Sequence, residues 1–225
     1  MDEWIDYYDS THTIYVSRRH RDLHFEVIAR DIIAPDAVLL DYACGEALSA
    51  ARVADACATL YLAEPAPGVR SRLIAHFAPN TKIRVCSLDD LRSMDENSVD
   101  LVVMNGVAQY MTPEELDSAF DVIHRLLKPF SRFVLGDNLP PGVGMTKDVL
   151  ALLRFAATHG FLRDALIGLI NTALSDYLLL RNRIGLQRYS EDDMIAKLGA
   201  AGFRATRAPR NTGYNPWRMT FVAHH

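Results

Sequence analysis

The fold is decided by the stretch Val38-Leu39-Leu40-Asp41-Tyr42-Ala43-Cys44-Gly45-Glu46-Ala47. An apolar run ends on an acid and is followed by small residues, just before a segment that is rich in Ala. Small residues directly after a strand allow a ligand to lie against the backbone, near the positive end of the following helix. The stretch therefore predicts a strand, a ligand-binding loop and a helix, in that order.

Apolar segments alternate with helical patterns along most of the chain. We predict strands at 37–41, 59–63, 82–86, 99–104 and 131–136, with helices at about 46–56, 67–77 and 112–127. A helix that begins at Ser190 precedes two last strands, at 203–208 and 219–223. Strands that alternate with helices predict a parallel sheet with helices on both of its faces.

The alternation breaks between Thr146 and Arg188, where the sequence predicts helices and no strand. Leu, Ile and Ala are abundant in this segment, and its formal charge is +3. A helical cap on the sheet explains this composition, and so does a surface that packs against a second copy of the chain. An apolar ligand pocket and peripheral contact with an anionic membrane surface are the alternatives.

The composition suits one domain and limits the classes of partner. The chain has 225 residues, is 49% hydrophobic and carries a net charge of −4, which fits one compact domain. Phosphate binding requires clustered Lys and Arg, so this charge does not favour nucleic acid. No apolar run reaches the roughly 18 residues of a transmembrane helix. Three cysteines without CxxC spacing, and an acidic N-terminus without a signal-peptide core, predict a cytoplasmic protein.

Glu64 is the clearest candidate for binding a nucleoside. It ends the apolar strand 59–63 and follows Asp41 by 23 residues, close to the spacing of about 20 residues in dinucleotide sites. A carboxylate at the end of this strand accepts hydrogen bonds from both ribose hydroxyls of an adenosine. This spacing does not distinguish S-adenosylmethionine from NAD.

Two histidines carry the spacing of a metal site without its other features. His20 and His24 are four residues apart, which places both imidazoles on one face of a helix. The zinc-protease pattern needs a Glu directly after the first His, whereas Arg21 stands there. We therefore predict no metal site, and we interpret both histidines as partly exposed side chains on a basic helix.

Five ordered segments resemble motifs of the class I S-adenosylmethionine (SAM)-dependent methyltransferases. The first, Asp41–Gly45, is similar to motif I of that family, with Ala43 and Ala47 at its first and third glycine positions. The others are Glu64-Pro65, Cys86–Leu91, Asp95–Tyr110 and Leu126-Leu127-Lys128-Pro129. Ser87 stands where the family commonly has Asp. The resemblance covers nearly all of residues 35–225.

The resemblance implies an α/β fold of the Rossmann-like type, with a seven-stranded, mostly parallel sheet and helices on both faces. The seventh strand would be antiparallel beside the sixth. The single domain would consist of an N-terminal lid (1–33) and a SAM-binding core (35–145). A helical substrate-binding or cap insertion (146–188) and a last helix with two strands (189–225) would follow.

The resemblance also implies which residues bind the cofactor SAM. Glu64 would accept the ribose hydroxyls, and the loop around Gly45 would pass under the amino-acid part of SAM. Leu88 and Asp89 would hold the adenine. The full predicted set is Tyr15, Arg18, Asp41, Ala43, Cys44, Gly45, Glu64, Pro65, Leu88, Asp89, Asn105, Gly106 and Val107.

The activity implied is methyl transfer to a small, partly apolar organic acceptor, with the acceptor atom (O, N or C) left open. His12 is the candidate base and Tyr110 the second candidate catalytic residue, because both stand in segments expected beside the cofactor. The aromatic residues at 4–8 are interpreted as packing groups.

Three alternatives stay open. One is a catalytically silent SAM-binding or regulatory protein of the same fold. Another is an NAD(P)-dependent oxidoreductase, which the glycine-poor loop disfavours because a pyrophosphate needs Gly-rich contacts. The last is a methyltransferase that acts on protein or tRNA, although no Asn-Pro-Pro-Tyr type motif follows the fourth strand.

Overall fold

The computed structural model describes residues 1–9, 17, 19–22 and 34–225. Its helices are α1 (Asp2–Asp9), α2 (Ala50–Asp55), α3 (Pro67–Phe77), α4 (Pro113–Leu126), α5 (Met145–His159), α6 (Leu162–Ala173), α7 (Asp176–Ile184) and α8 (Glu191–Ala200). Its strands are β1 (Val38–Tyr42), β2 (Thr59–Ala63), β3 (Ile83–Cys86), β4 (Val99–Asn105), β5 (Leu127–Asn138), β6 (Arg204–Arg207) and β7 (Met219–His224). Short 3-10 helices lie at Asp90–Ser93 and Ala108–Tyr110.

The seven strands form one sheet in the order β3-β2-β1-β4-β5-β7-β6. Strands β1 to β5 are parallel, and β7 runs antiparallel between β5 and β6. The predicted Rossmann-like, seven-stranded and mostly parallel sheet is therefore confirmed. Strand β1 pairs with β2 on one side and β4 on the other, so the strand order reverses there. Ligands bind in the crevice beyond the strand ends at such a point.

Alternate residues of the central strands build a core on each face of the sheet. Leu40 and Phe133 belong to one buried cluster, whereas Leu39 and Val134 belong to the other, as the two-residue period of a strand requires. On the first face, Phe120 of α4 meets Phe133 with ring centroids 5.8 Å apart. Both faces are buried, which explains why the strands have apolar runs rather than alternating polarity.

Two elements differ in length from the prediction. Helix α2 begins at Ala50 rather than at about residue 46, because positive φ angles at Ala43, Gly45 and Ala47 extend the loop before it. Strand β5 begins at Leu127, directly after α4, because the backbone of Leu127 is already extended and pairs with Val99. Helix α4 begins as predicted, with a capping box between Thr112 and Glu115.

The segment between β5 and α8 forms three helices, α5, α6 and α7. Leu152 and Ala156 of α5 form a small buried cluster with Phe161 and with Ala165 of α6. The predicted helical insertion after the fifth strand is thus present. No helix in the described ranges combines the length and the apolar character needed to cross a membrane.

Candidate functional site

A cavity of about 1270 Å³ opens at the carboxyl ends of β1, β2 and β4. The loop between β1 and α2 and the turns after β2 and β4 line one end of it. Helices α1, α5, α6 and α7 contribute the rest of the wall. The cavity lies at the reversal of strand order, where the fold predicts a ligand.

The loop after β1 is held in an unusual backbone conformation. Ala43, Gly45 and Ala47 have φ angles of +55°, +59° and +43°, a region that favours glycine. A Cβ built on Gly45 would meet no atom within 4 Å, so its open side faces the cavity. The two alanines are therefore strained, and such strain persists where the surrounding structure imposes it at a functional site.

Replacing Ala43 with Gly should stabilise the fold. A left-handed conformation costs an L-residue about 1–2 kcal/mol, and the greater chain entropy of Gly offsets about 0.5–1 kcal/mol of the gain. We expect the unfolding free energy, measured by urea denaturation, to rise by up to about 1 kcal/mol. The matched control is Ala51→Gly in exposed helical backbone of α2, which should lose about 1 kcal/mol. Equal losses of unfolding free energy in Ala43→Gly and Ala51→Gly would show that the backbone at Ala43 is not strained.

Glu64 joins the two loops that border the cavity. Its carboxylate is buried; Oε2 accepts a hydrogen bond from the Gly45 N–H (2.8 Å) and Oε1 one from the Ala66 N–H (2.9 Å). Burial raises the pKa of Glu64, and these two N–H donors oppose the rise. Each carboxylate oxygen accepts more than one hydrogen bond. Glu64 therefore fixes the loop and keeps acceptor capacity for ligand hydroxyls.

Asp41 is a second acid at the same end of the cavity. It lies near the end of β1, between Leu62 of β2 and Val103 of β4. Burial, and then the charge of Glu64, raise the pKa of Asp41 to about 7. The carboxyl group therefore changes its protonation state close to neutral pH.

Replacing Asp41 with Asn should flatten the pH dependence of stability. The folded protein holds a proton on Asp41 up to about pH 7, whereas the unfolded chain releases it near the usual value of 3.8. Rising pH in this window therefore favours unfolding. We expect the unfolding free energy of the wild type to fall more between about pH 5 and about pH 7.5 than that of Asp41→Asn. Asp36→Asn, at an exposed position, is the control. Parallel pH profiles of stability for the wild type and Asp41→Asn would show that the pKa of Asp41 is not raised in the folded protein.

The turn after β4 is built around Asn105 and Gly106. The Asn105 Oδ1 accepts a hydrogen bond from the Thr212 hydroxyl at 2.7 Å, and the Gln109 amide donates to the Gly106 carbonyl at 2.8 Å. A Cβ on Gly136 would lie 2.3 Å from the Asn105 Oδ1. A glycine at the end of β5 is therefore needed for Asn105 to occupy this place.

Most of the predicted cofactor-binding residues meet at this cavity. Those that line it are Asp41, Ala43, Cys44, Gly45, Glu64, Pro65, Asn105, Gly106 and Val107. Leu88 and Asp89 follow β3 and are not among the lining residues; the Asp89 side chain is almost fully exposed. His12, Tyr15 and Arg18 lie outside the described residues, so their roles stay predictions.

Helix α1 covers the cavity and is attached at both ends. The Met1 amino group donates to the Glu115 Oε1 at 3.1 Å, and the Asp9 Oδ1 accepts from the Val69 N–H at 2.9 Å. Val69 lies in the first turn of α3, where backbone N–H groups lack partners within the helix. Asp9 therefore caps the helix that follows Glu64.

Tyr110, the second predicted catalytic residue, lines the cavity as part of an aromatic cluster. The Tyr8 hydroxyl donates to the Tyr110 hydroxyl at 3.0 Å, and the Trp4 ring centroid lies 4.8 Å from that of Tyr110. Tyr177 of α7 packs on Trp4 from another side, at 5.7 Å. Burial raises the pKa of Tyr110 well above its usual value, so at neutral pH its phenol is protonated. The rings pack on one another, which agrees with the packing interpretation of residues 4–8.

The cavity wall next to Gly106 contains an ion network that the sequence did not predict. The Arg218 guanidinium donates to the Asp137 Oδ2 (2.7 Å) and to the Asp148 Oδ1 (3.1 Å). Asn211 donates to the Asp137 Oδ1 and Asn215 to the Asp148 Oδ1. Asp137 is an acid at the end of an apolar strand, a signal that could have identified it. No local pattern points to the other members.

The interpretation of His20 as partly exposed is wrong. Its ring is only 5% exposed and stacks on Phe161 at 5.8 Å, with Tyr214 at 5.3 Å. The sequence near His20 could not show this, because both aromatic partners come from distant segments. His24 lies outside the described residues. Within the part of the chain that is described, no three His, Cys, Asp or Glu side chains form a metal-binding group.

Comparison with known proteins agrees with this geometry. The family model of the methyltransferase domain matches residues 40–135. This range contains β2, β3 and β4, most of β1 and β5, Glu64, and the loop Asp41–Ala47 (the motif loop). Over these residues the chain matches a SAM-dependent methyltransferase domain. The cofactor of this domain is S-adenosylmethionine. No curated protein sequence matches the chain significantly.

Solved structures share the fold at low sequence identity. A Haloferax volcanii protein, solved with the Trm112 methyltransferase activator, is 13% identical with a TM-score of 0.62, covering 99% of this chain and 96% of that one. The N-methyltransferase NodS from Bradyrhizobium japonicum, with S-adenosylhomocysteine, is 15% identical (TM-score 0.61; 98% and 95% covered). The CurJ carbon methyltransferase is 13% identical (TM-score 0.54; 85% and 49% covered).

Proposed function

We propose that the protein transfers the methyl group of S-adenosylmethionine to a small, partly apolar organic acceptor. The observation that carries the proposal is one continuous cavity that joins the motif loop and Glu64 to an apolar region under α5 and α6. Its volume of about 1270 Å³ exceeds the roughly 300–1,000 Å³ of common ligand pockets. Room for an acceptor beside the cofactor is therefore available.

The residues at the strand ends fit the cofactor. Glu64 would accept the ribose hydroxyls with the lone pairs that the Gly45 and Ala66 N–H groups do not use. The open side of Gly45 allows the amino-acid part of the cofactor to lie against the backbone. Besides its one carboxylate the cofactor carries an ammonium and a sulfonium, which acids such as Asp41 and Glu46 beside this loop would attract, and it has no phosphate for them to repel. Helix α1 would act as part of a lid, since its side chains line the cavity and Asp9 holds it against α3.

The acceptor would occupy the end of the cavity that α5 and α6 cover. Val149 and Leu152 of α5, together with Ile167 and Leu169 of α6, contribute apolar wall there. Such a wall suits an acceptor with an apolar body and a single reactive polar group. It does not distinguish an oxygen, nitrogen or carbon nucleophile.

The reaction depends on the orientation of the acceptor more than on acid–base catalysis by the protein. When bound, the cofactor would supply a methyl carbon on a sulfonium: the nucleophilic atom of the acceptor would bond to that carbon in line with the carbon–sulfur bond, which would break to leave the thioether S-adenosylhomocysteine. The helices over the cavity would exclude water and hold the acceptor at the required angle. The protonated Tyr110 hydroxyl would orient the acceptor as a hydrogen-bond donor rather than remove a proton. His12 stays the proposed base where the acceptor arrives protonated.

Calorimetric titration followed by a transfer assay tests the proposal. We expect saturable binding of S-adenosylmethionine and S-adenosylhomocysteine and none of NAD. The protein is then incubated with methyl-labelled cofactor and a panel of phenols, amines and carboxylic acids of matched size. Label transferred to one class would establish the activity. Cofactor binding without transfer to any acceptor would favour the silent, regulatory alternative, and NAD binding would refute the proposal.

A further inference from the structure

Exposed apolar side chains are concentrated on one part of the molecule. Among the described residues, twelve large hydrophobic side chains are exposed, and nine of them lie between Met145 and Ile184. A concentration of this kind on a soluble protein usually marks an interaction surface. The helices of the insertion therefore present a surface that the described fold does not cover.

Four of these side chains follow one face of α6 and the residue that ends it. Leu162, Leu166, Ile170 and Leu174 are spaced by four residues, so they lie above one another along the helix. The exposed fraction reaches 60% at Ile170 and 82% at Leu174. We call these four residues the α6 face.

The same helix forms part of the cavity wall. Gly168, Asn171 and Thr172, which alternate with the α6 face along the chain, line the cavity. Helix α6 therefore separates the cavity from whatever covers its outer side. A partner that binds the α6 face comes within one helix diameter, about 10 Å, of the cavity.

The charge of the insertion is opposite to that of the remaining chain. Residues 146–188 carry +3, while the whole chain carries −4, which leaves −7 for the rest. Lys147, Arg154 and Arg163 are exposed basic side chains in this segment. An anionic surface attracts this segment and repels the rest of the molecule, which orients the protein with α6 towards the surface.

We propose that the α6 face binds an anionic lipid membrane. Apolar side chains flanked by Lys and Arg are the pattern of helices that lie in the membrane interface. Two copies of the chain joined through this segment would bring two positively charged surfaces together, which disfavours a homodimer as the occupant. An anionic membrane attracts the same charges.

Sedimentation with lipid vesicles tests this proposal without any cofactor, so its outcome is independent of the proposed function. Vesicles of phosphatidylcholine alone are compared with vesicles that also contain phosphatidylglycerol. We expect binding to the anionic vesicles, weakened by added salt because exposed charges are screened. Equal binding to both vesicle types, or no binding to either, would overturn the proposal.

Charged substitutions show whether the α6 face is the contact. The double variant Ile170→Glu with Leu174→Glu should bind anionic vesicles at least about tenfold more weakly, since two apolar side chains no longer enter the membrane interface. Ile74→Glu is the matched control, because Ile74 of α3 is also exposed (53%) and lies outside the insertion. Circular dichroism and thermal melting confirm that each variant is folded. Undiminished binding of the double variant to anionic vesicles would show that the α6 face is not the membrane contact.

Sedimentation velocity distinguishes a membrane from a second copy of the chain. We expect the wild type to be monomeric in the absence of lipid. A wild-type dimer that the double variant converts to monomers would identify the α6 face as a dimer interface instead, and would overturn the membrane proposal. If membrane binding is found, an acceptor dissolved in the bilayer would reach the cavity beside α6; this last consequence rests on the proposed function.

Discussion

Replacing Glu64 with Ala should lower the affinity for S-adenosylmethionine by about a hundredfold or more. In the proposed binding mode the variant loses the two hydrogen bonds that the carboxylate accepts from the ribose hydroxyls, each of them worth about 1.5–3 kcal/mol. It also releases the Gly45 and Ala66 N–H groups that the carboxylate holds at 2.8 and 2.9 Å, so the motif loop loses its anchor. Calorimetric titration of the purified variant measures the effect.

Two further variants separate ligand binding from loop anchoring. Glu64→Gln keeps the shape of the side chain, but its amide NH₂ must face one of the two backbone N–H groups, so we expect an intermediate loss. Glu96→Gln, an exposed acid after the 3-10 helix, should leave the affinity unchanged. An affinity of Glu64→Ala within about threefold of the wild type would mean that the ribose is bound elsewhere, because threefold corresponds to less than 1 kcal/mol.

Replacing Arg218 with Gln should destabilise the fold by about 3–5 kcal/mol, because it removes the cation that binds Asp137 and leaves Asp148 with the more distant Arg181, at 3.8 Å. Arg218 is mostly buried and pairs with both Asp137 and Asp148. These carboxylates come from the end of β5 and from α5, so the variant also loosens the contact between the sheet and the insertion. Urea denaturation at neutral pH measures the loss.

An exposed pair provides the control for Arg218. Arg207 binds Glu191 at 2.8 Å, but both side chains are more than 40% exposed, so Arg207→Gln should lose at most about 1 kcal/mol. Adding Asp148→Asn to Arg218→Gln removes one of the stranded carboxylates and should recover part of the stability. Similar losses for Arg207→Gln and Arg218→Gln would show that the buried network contributes no more than a surface pair.

The sequence by itself determined the sheet and the end of it that binds a ligand. Apolar runs bounded by turns placed β1 to β5 and β7, because a strand buried on both faces requires continuous hydrophobic residues. The start of α4 was predictable because Thr112 and Glu115 interact within one turn. The sequence also predicted that the motif loop and Glu64 lie together, because the end of each parallel strand is brought to the same edge of the sheet.

The tertiary structure alone decided which distant side chains meet around the cavity. Tyr8 and Tyr110 are 102 residues apart and Arg218 and Asp137 are 81 apart, while the burial of His20 depends on aromatic residues near 161 and 214. The local pattern around each of these residues is that of an ordinary polar or aromatic position. Their contacts follow from how α1, the insertion and the last loop pack over the sheet. Hydrophobic periodicity shows which face of an element is buried, but it does not show which other element covers that face.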